Sequence, residues 1–352
     1  MKILRFVFAV GVGSLALAGV ALAAGQQPEP AQKGSASPQL VILDTDIGDD
    51  IDDAFALALA LRSPEIRLLA ITTAYGDTDL RARLVNRFLT ADCAEWTTAV
   101  IPGAPTNHQN VFTQEAYAKG SGFGCTHSSG DLVTLDNKMK ELARWDNERK
   151  YDDAAGFLLK EIADFPGEIT LIAIGPLNNI EAAIKRDPDT FRKLKRVVMM
   201  GGSIYRGYGE HAPPDAEWNI SRDPAGLRAL LASGVPVFMM PLDSTQIHLE
   251  TKEREEIFAH GSPITDQLTL LYHQWNANAG GHPITPTLFD PVAVTYAIHP
   301  DLCPATPIRL EVDDKGYTRP VEGAPNAQVC LKSDEKGFLD LLLGRLTGDA
   351  TQ

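Results

Sequence analysis

Basic residues are scarce in this chain of 352 residues, in which 32 lysines and arginines stand against 46 aspartates and glutamates. The formal net charge is −14. Nucleic acids and anionic membrane surfaces attract proteins through clustered positive charge. The shortage therefore argues against nucleic-acid polymers and anionic membranes as partners and favours a small neutral or cationic ligand.

A membrane-spanning helix is also not indicated, because the apolar stretch 6–20 is short for one. Lys2 and Arg5 precede this stretch and small residues follow it at 21–23, which is the three-part pattern of a secretory signal peptide. We expect cleavage after Ala23, a periplasmic or secreted protein, and no stable membrane insertion after processing.

The segment 24–38 is rich in Gln, Pro, Ala and Ser and has little apolar content. Such a composition cannot form a packed core, so we expect a disordered lead-in. Residues 39–346 remain for one domain, which is long for a single domain but within the range that one α/β domain reaches.

Cysteine is rare, and no C-x-x-C pattern indicates thiolate metal binding or redox chemistry. An exported chain with the four cysteines Cys93, Cys125, Cys303 and Cys330 permits two disulfides in three pairings. We favour Cys303 with Cys330, which flank a compact carboxyl-terminal stretch, and Cys93 with Cys125. Buried free thiols are the alternative.

Short apolar runs alternate along the chain with helix-like stretches. Strands are predicted at 40–43, 68–72, 169–174, 197–200 and 235–239. Helices are predicted at 54–62, 80–90, 153–165, 180–186 and 224–232. This alternation is typical of a parallel sheet covered by helices. The sequence therefore predicts an α/β fold with a single doubly wound, mostly parallel sheet and helices on both faces.

Polar, glycine-bearing segments follow four of the predicted strands, at 44–53, 75–77, 175–179 and 201–203. In open α/β sheets the ligand crevice lies beyond the carboxyl ends of the strands. We therefore expect these loops to meet at one rim of the sheet and to form the functional site.

The first of these loops is unusually acidic, with six aspartates within the ten residues 44–53. Each close pair of like charges costs about 1 kcal/mol in bulk water and about 4 kcal/mol near a protein surface. A folded loop of this kind needs a cation or shifted pKa values. Carboxylates without a His or Cys cluster suit Ca²⁺ or Mg²⁺ rather than zinc, and Ca²⁺ better tolerates an irregular loop.

Two ordinary explanations cover less of this pattern. Asp52 and Asp53 stand just before a helix-like stretch, where carboxylates cap a helix and meet its positive end. Capping accounts for one or two aspartates, not six. An EF-hand is excluded, because the twelfth position counted from each of the first five aspartates is never a glutamate.

The acidic loop resembles the amino-terminal motif of the nucleoside hydrolases, through 44–48 (DTDIG) and 52–54 (DDA). Further segments resemble motifs of that family in the same order along the chain. They are 70–77 (AITTAYGD), 174–180 (IGPLNNI), 199–203 (MMGGS), 216–224 (AEWNISRDP) and 289–294 (FDPVAV). Together these matches span nearly all of the chain that follows the leader.

The resemblance implies a calcium-dependent enzyme of purine or pyrimidine salvage, which hydrolyses the N-glycosidic bond of ribonucleosides to free base and ribose. A homo-oligomer is compatible with it, because family members often form dimers or tetramers. By position, Asp46 would be a metal ligand and the general base, Asp53 a bidentate ligand, Ile174 a ligand through its carbonyl, and Asp290 the last carboxylate ligand. Asp52 would contact the ribose hydroxyls.

This assignment requires a gap in the acidic loop. Three residues separate Gly48 from the pair Asp52 and Asp53, where the shorter form of the family has one. Without the gap an isoleucine would fall on a ligand position, which is chemically untenable. The roles of Asp49 and Asp50 stay open.

The resemblance implies five further substrate contacts, Asp77, Asn178, His211, Glu217 and Asn219. Glu217 and Asn219, at positions i and i+2, point the same way if the segment is extended and offer acceptors and donors to sugar hydroxyls. Asp77 stands where an Asn is common in the family. His211 is placed by counting back from Glu217 to the position of a sugar-contacting Asn.

The leaving base has no evident acid. Several family members that protonate the base carry a His directly before the last ligand, whereas this chain has Phe289. Stacking on Trp218 or Trp275, or protonation by His282, would be another way to activate the base. The ordinary alternatives are core packing for each Trp and a solvated loop position for the His.

Physical chemistry supports the assignment independently of the resemblance. Breaking the C1′–N bond passes through an oxocarbenium-like sugar, so carboxylates must lie near the developing positive charge and a water must be activated opposite the base. A calcium ion would activate that water, and Asp46 would accept its proton.

Two other functions were weighed against this one. A strand that ends in Asp44, Thr45 and Asp46 also resembles the start of haloacid-dehalogenase-like phosphohydrolases, but Gly48 stands where that family has Thr or Val. The other alternative is a catalytically inactive periplasmic nucleoside- or sugar-binding protein that keeps the calcium site.

Overall fold

The computed structural model describes residues 37–92, 94, 97–107, 111–120, 153–278 and 284–348. The predicted signal peptide 1–23 and nearly all of the lead-in 24–38 lie outside these residues. From Ser37 onward the described chain belongs to one compact unit. None of the described helices is both long and apolar enough to cross a membrane.

Eight of the described strands form one sheet in the order β3-β2-β1-β4-β5-β6-β10-β7. The strands are β1 (Gln39–Thr45), β2 (Ile66–Thr73), β3 (Ala99–Pro102), β4 (Thr170–Ala173), β5 (Arg196–Met200), β6 (Val237–Met240), β7 (Ala305–Ile308), β8 (Leu310–Val312), β9 (Thr318–Pro320) and β10 (Ala327–Cys330). Neighbours in the sheet are parallel except for β10 and β7. The remaining strands, β8 and β9, pair with each other in antiparallel fashion.

The chain winds outward from β1 to one edge of the sheet and then, from β4, to the other edge. This is the doubly wound order that the sequence predicts. The fold class is therefore confirmed as α/β with a large, mostly parallel central sheet.

Helices connect the strands and cover the sheet. They are α1 (Asp52–Leu61), α2 (Thr78–Ala91), α3 (Glu115–Lys119), α4 (Ala154–Asp164), α5 (Asn178–Arg186), α6 (Pro188–Phe191), α7 (Trp218–Arg222), α8 (Pro224–Ala232), α9 (Leu242–Thr245), α10 (Thr251–Ala259), α11 (Pro263–Asn278), α12 (Pro291–Ile298) and α13 (Glu335–Thr347). Two 3₁₀ helices, Tyr208–Glu210 and Pro300–Leu302, lie in connections.

Both faces of the sheet carry a buried apolar core. Successive side chains of a strand point to opposite faces, so Val41 and Leu43 of β1 pack in one core and Ile42 packs in the other. Phe55 of α1 belongs to the first core and Leu158 of α4 to the second. Each such side chain contributes about 1.5–3 kcal/mol when fully buried. Helices on both faces, as predicted, therefore stabilise the sheet.

The predicted elements correspond to β1, β2, β4, β5 and β6 and to α1, α2, α4, α5 and α8, with every end within two residues of the prediction. The edge strands β3 and β7 were not predicted. Their side chains are mostly exposed or half-buried, so they lack the continuous apolar run that identifies a central parallel strand.

A disulfide joins Cys303 to Cys330, with a Cα–Cα distance of 5.6 Å. It ties the end of the 3₁₀ helix Pro300–Leu302 to the last residue of β10. The predicted pairing of these two cysteines is confirmed. The other predicted pair, Cys93 and Cys125, lies outside the described residues.

The parallel register brings the ends of four strands to one edge. Thr45 of β1 is level with Thr73 of β2, and Asp44 is level with Ala173 of β4. Ala173 is in turn level with Met199 of β5. The loops that follow these strands therefore begin side by side at the same rim of the sheet, as expected from the sequence.

Candidate active site

The acidic loop leaves β1 at Thr45 and enters α1 at Asp52. Asp46, Asp52 and Asp53 are no more than 5% exposed, whereas Asp50 is exposed. Asp52 and Asp53 occupy the first turn of α1, where the positive end of the helix favours negative charge. Their positions are those of the first helical residues rather than of the cap, so capping does not account for them.

Hydrogen bonds fix both carboxylates of this first turn. The Thr45 hydroxyl donates to Asp53 Oδ1, and the backbone N–H of Asp290 donates to Asp52 Oδ2 over 3.2 Å. Asp290 directly precedes α12. The last contact therefore joins two segments that are 238 residues apart in the chain.

Asp52, Asp53 and Asp290 form a buried carboxylate triad. One carboxylate oxygen from each lies within 4.8 Å of the others. Burial, followed by repulsion from neighbouring carboxylates, raises the pKa of all three groups well above the ordinary aspartate range. Such a group needs either protons or a cation to offset its charge.

Asp46 lies beside this triad, and burial raises its pKa to about 7. The positive charge of Arg81 and a hydrogen bond from the Trp218 side chain lower the pKa, while the charge of Asp49 raises it. Gly175 packs against Asp46, since a Cβ added there would lie 2.8 Å from the Asp46 backbone nitrogen and from its Oδ1. This close approach accounts for the glycine of the 174–180 segment.

The acidic groups line a cavity of about 300 Å³ at the carboxyl ends of the strands. The lining side chains are carboxylates (Asp46, Asp49, Asp50, Asp52, Asp53, Glu217, Asp290), aromatic rings (Tyr208, Trp218, Trp275, Phe289) and Val111, Thr113, Ile174, Met200 and Asn219. A cavity of this size suits a small organic ligand. One end is acidic and the other aromatic, as a polar sugar joined to a flat base would require.

Nine of the residues predicted from the sequence meet at this cavity, namely Asp46, Asp52, Asp53, Ile174, Glu217, Trp218, Asn219, Trp275 and Asp290. Asp77, Asn178 and His211 are not among its lining residues. His282 lies outside the described residues.

The residues left out of the lining have other partners. Asp77 is exposed and caps α2, where its side chain accepts a hydrogen bond from Leu80 N over 3.0 Å. Asn178 opens α5 and is half-buried. Its neighbour Asn179 reaches the sheet instead and donates to Asp44 Oδ1 over 2.7 Å.

His211 is turned towards solvent, with a side chain that is 54% exposed. Its Nε2 lies 3.2 Å from Asp215 Oδ2. Counting back from Glu217 treats the intervening segment as regular, but the chain folds through a 3₁₀ turn at 208–210 and a cis peptide bond before Pro213. The position of His211 in the sequence is therefore a poor guide to its place in space.

Glu217 and Asn219 both reach the cavity, but not from an extended segment. Glu217 caps α7 and accepts hydrogen bonds from the backbone nitrogens of Gly202, Asn219 and Ile220 over 2.9, 2.8 and 3.2 Å. Burial raises the pKa of Glu217 to about 7, although these three bonds lower it. Asn219 lies in the helix, and its Nδ2 donates to Ile174 O over 3.2 Å.

Sequence reasoning missed Arg81, which is fully buried behind the acidic loop. Its guanidinium donates to the backbone carbonyls of Asp46 and Ile47 and to Asp49 Oδ2, the last over 3.1 Å. It therefore fixes the loop and offsets part of its negative charge. The imbalance of charge in the loop was a signal that a cation is needed, but it did not identify which residue supplies one.

Tyr208 is a second lining residue that the sequence did not single out. Its hydroxyl accepts a hydrogen bond from Trp218 N over 2.9 Å, and its ring packs edge-on against Phe289 with the centroids 6.0 Å apart. A tyrosine within a polar, glycine-rich segment carries no motif, so only the fold of the loop reveals this placement.

Comparison with known proteins gives a consistent result. A family profile described as inosine-uridine preferring nucleoside hydrolase matches residues 41–340. The pyrimidine-specific ribonucleoside hydrolase RihA of Citrobacter koseri is 30% identical over 332 residues, which cover 87% of this chain and 97% of that protein. The probable uridine nucleosidase 1 of Oryza sativa subsp. japonica is 29% identical over 268 residues, 74% of this chain and 77% of that protein.

A solved structure of a plant nucleoside hydrolase, PpNRh1, has the same fold. It aligns with a TM-score of 0.71 and 26% sequence identity. The alignment covers 88% of this chain and 99% of that one.

Proposed function

Because the chain belongs to the inosine-uridine preferring nucleoside hydrolase family, we propose that it hydrolyses ribonucleosides to base and ribose with a calcium ion and with Asp46 as the general base. The observation that carries this proposal is the buried triad of Asp52, Asp53 and Asp290 beside Asp46 in one cavity. Family membership removes the basis for a phosphohydrolase of the haloacid-dehalogenase type.

The donor set fits a hard divalent cation. All the groups offered are oxygens, from Asp46, Asp53, Asp290 and the carbonyl of Ile174, and such ligands suit Ca²⁺ or Mg²⁺. Calcium accepts more ligands and less regular geometry than magnesium. These four residues would hold the ion, which when bound would supply Lewis-acid activation of a water molecule.

The protein's own groups would do the rest. Asp46 would accept the proton of the attacking water, and the Trp218 side chain that hydrogen-bonds to Asp46 would hold that carboxylate in place. Asp52 would bind ribose hydroxyls. The acidic cavity would stabilise the positive charge that develops on the sugar as the C1′–N bond breaks.

The aromatic end of the cavity would take the base. Phe289 has no proton to give, so imidazole protonation from that position is impossible. Stacking on Trp218 or Trp275 would favour departure of the base by holding it and raising its basicity. His282 stays the alternative acid, and an alanine substitution there tests it by the change in kcat.

The direct test is incubation of the purified protein with inosine, adenosine, uridine and cytidine, followed by a reducing-sugar assay. Release of ribose from any of them excludes a pure binding protein. Chelation of the protein should abolish the release, and Ca²⁺ should restore it better than Mg²⁺. Full activity after exhaustive chelation would contradict the metal-dependent mechanism.

Discrimination against deoxynucleosides is a second expectation. A site that hydrogen-bonds a substrate hydroxyl rejects an analogue that lacks it, because buried polar groups are then left unpaired. We expect kcat/KM for 2′-deoxyinosine to be at least about 100-fold below that for inosine. Equal values would argue against Asp52 as the ribose contact.

We also propose that the protein is exported to the periplasm or secreted, with Asp46 and the rest of the domain 39–346 in the mature chain. The support is the three-part leader in residues 1–23. Mass spectrometry of the protein from its native host should find an amino terminus at Ala24. An intact Met1 in the extracellular or periplasmic fraction would contradict cleavage.

A further inference from the structure

The described lining of the cavity is rich in hydrogen-bond acceptors and poor in donors. Seven of its side chains are carboxylates, and the described lining contains no His, Lys or Arg. A sugar hydroxyl donates one hydrogen bond and accepts others, so carboxylates satisfy only half of its capacity. A cavity that binds sugar hydroxyls therefore also needs donors.

Most donors of the described lining are already committed. Asn219 Nδ2 donates to Ile174 O and Met200 O over 3.2 and 3.4 Å, and Thr113 Oγ1 donates to Asp49 O over 2.8 Å. The Trp218 side chain hydrogen-bonds to Asp46. The indole of Trp275 and the hydroxyl of Tyr208 remain.

Tyr208 is arranged as a donor. Its oxygen accepts from Trp218 N over 2.9 Å, so the hydroxyl proton is left for another acceptor. The ring packs edge-on against Phe289 and remains 38% exposed, on the cavity side of the loop. The hydroxyl thus lies in the same segment as Glu217 and Asn219, which are the proposed sugar contacts.

A set of hydrogen bonds holds the loop that carries Tyr208. Asp243 accepts from Ile204 N and Tyr205 N, each over 2.8 Å. Gln246 Oε1 accepts from Gly209 N over 2.6 Å. Because a single carboxylate and a single amide bind both sides of residue 208, the position of its side chain is well determined.

These partners come from one short region, α9 and the residue that follows it. Gln246 also donates through Nε2 to Gly207 O over 3.0 Å, and Tyr208 N donates to Asp215 Oδ2 over 2.9 Å. The loop is therefore fixed by side chains that do not themselves line the cavity.

We propose that the Tyr208 hydroxyl donates a hydrogen bond to the 5′ hydroxyl of the nucleoside, and that Asp243 and Gln246 are positioning residues for it. The inference rests on the proposed function. A ribonucleoside has three hydroxyls, and Asp52 would take those on the ribose ring. The 5′ hydroxyl is then the one left for a donor in the segment of Glu217 and Trp218, the place that sequence counting had given to His211.

The test compares Tyr208→Phe with wild type on the best of the four nucleosides and on its 5′-deoxy analogue. Loss of one neutral hydrogen bond should lower kcat/KM about 10-fold for the parent nucleoside. For the 5′-deoxy analogue the two enzymes should agree within about twofold. Where turnover of the analogue is too slow, its inhibition constant against the parent nucleoside replaces kcat/KM.

Tyr205→Phe is the matched control, because Tyr205 lies in the same loop, is 53% exposed and does not line the cavity. It should change neither substrate by more than about twofold. A change below twofold in Tyr208→Phe, or equal losses with both substrates, overturns the proposal. If wild type releases no ribose from any nucleoside, the proposed function itself fails, which is a different result.

Asp243→Asn tests the positioning role. It should lower kcat/KM for the parent nucleoside and spare the 5′-deoxy analogue, which a general loss of stability would not do. The double variant Asp243→Asn, Tyr208→Phe should be no worse than Tyr208→Phe alone, since both changes remove the same contact. Additive losses would show that Asp243 acts elsewhere.

Discussion

The two ends of the cavity are built in different ways. The acidic end consists of buried side chains next to the ends of secondary-structure elements, with Asp46 just after β1, Asp52 and Asp53 in the first turn of α1, and Asp290 just before α12. The aromatic end consists of partly exposed side chains, Tyr208 in a 3₁₀ turn and Trp275 on α11 among them. The sheet fixes the first end, and loops and helix surfaces shape the second.

This difference separates reaction from specificity. Groups next to the ends of strands and helices are held by backbone ladders and by buried contacts such as that between Asp290 N and Asp52, so their spacing tolerates little change. Loops vary more readily and carry recognition on many folds. The acidic end is therefore expected to determine whether hydrolysis occurs, and the aromatic end which nucleoside is hydrolysed.

Removal of the proposed base should give the largest effect. Asp46→Ala should lower kcat by about 10²- to 10⁴-fold, the usual contribution of general base catalysis. The circular dichroism spectrum should be unchanged, because Asp46 contributes repulsion rather than apolar packing. The control is Asp314→Ala, whose side chain is 97% exposed. Activity within tenfold of wild type would remove Asp46 from the mechanism.

The acidic end can be tested further by comparing a triad residue with an exposed one. Asp290 is buried, and one full charge at about 4 Å is worth about 4 kcal/mol near a protein surface, or about 1,000-fold in affinity. Asp290→Asn should weaken calcium binding about 100- to 1,000-fold by calorimetric titration. Asp50→Asn, at an exposed position, should weaken it by less than about 10-fold. Equal losses would favour the ungapped alignment, in which Asp50 takes the place of Asp52.

The acidic end should also make calcium binding depend on pH. Because the pKa of each triad carboxyl is raised in the folded protein, the calcium-free fold binds more protons than the unfolded chain above about pH 4. Its stability therefore falls as the pH rises from there towards the raised pKa values. Calcium displaces those protons, so its affinity rises over the same window.

The expected outcome is a larger increase in Tm on addition of saturating Ca²⁺ at pH 8 than at pH 5, measured by scanning calorimetry. Titrations in two buffers with different ionisation enthalpies should show release of protons on binding. An increase in Tm that does not change with pH would mean that the triad is already ionised without the ion.

The same contrast explains what the sequence could predict. Central strands such as β1 and β4 are buried on both faces and are read directly as apolar runs, and the loops at their ends follow from parallel topology. The edge strands lack that signal. Asp290 was predicted by family resemblance alone, since nothing local in the sequence brings it next to Asp52.

Residues that act through loop conformation could not be predicted in this way. Arg81 lies on α2 among other charged residues, and its burial becomes apparent only when the acidic loop folds over it. Tyr208 depends on hydrogen bonds from Asp243 and Gln246, which follow β6 rather than β5. Long-range pairing of this kind is not visible in the spacing of one sequence.

The smallest expected effect comes from His211, where the sequence and the structure disagree. Its exposed ring contacts Asp215, which also accepts from Tyr208 N, so its influence on the cavity is indirect. An exposed ion pair contributes at most about 1 kcal/mol. His211→Ala should therefore change kcat/KM less than about fivefold for every nucleoside.

Tyr208→Phe provides the comparison for this last variant, since the two residues compete for one role. If His211→Ala lowered kcat/KM by more than tenfold while Tyr208→Phe had no effect, counting along the sequence would be right about the sugar contact. The loop would then have to rearrange when substrate binds, because His211 cannot reach the cavity while its Nε2 lies 3.2 Å from Asp215. The result that we expect, a loss at Tyr208 alone, requires no such rearrangement.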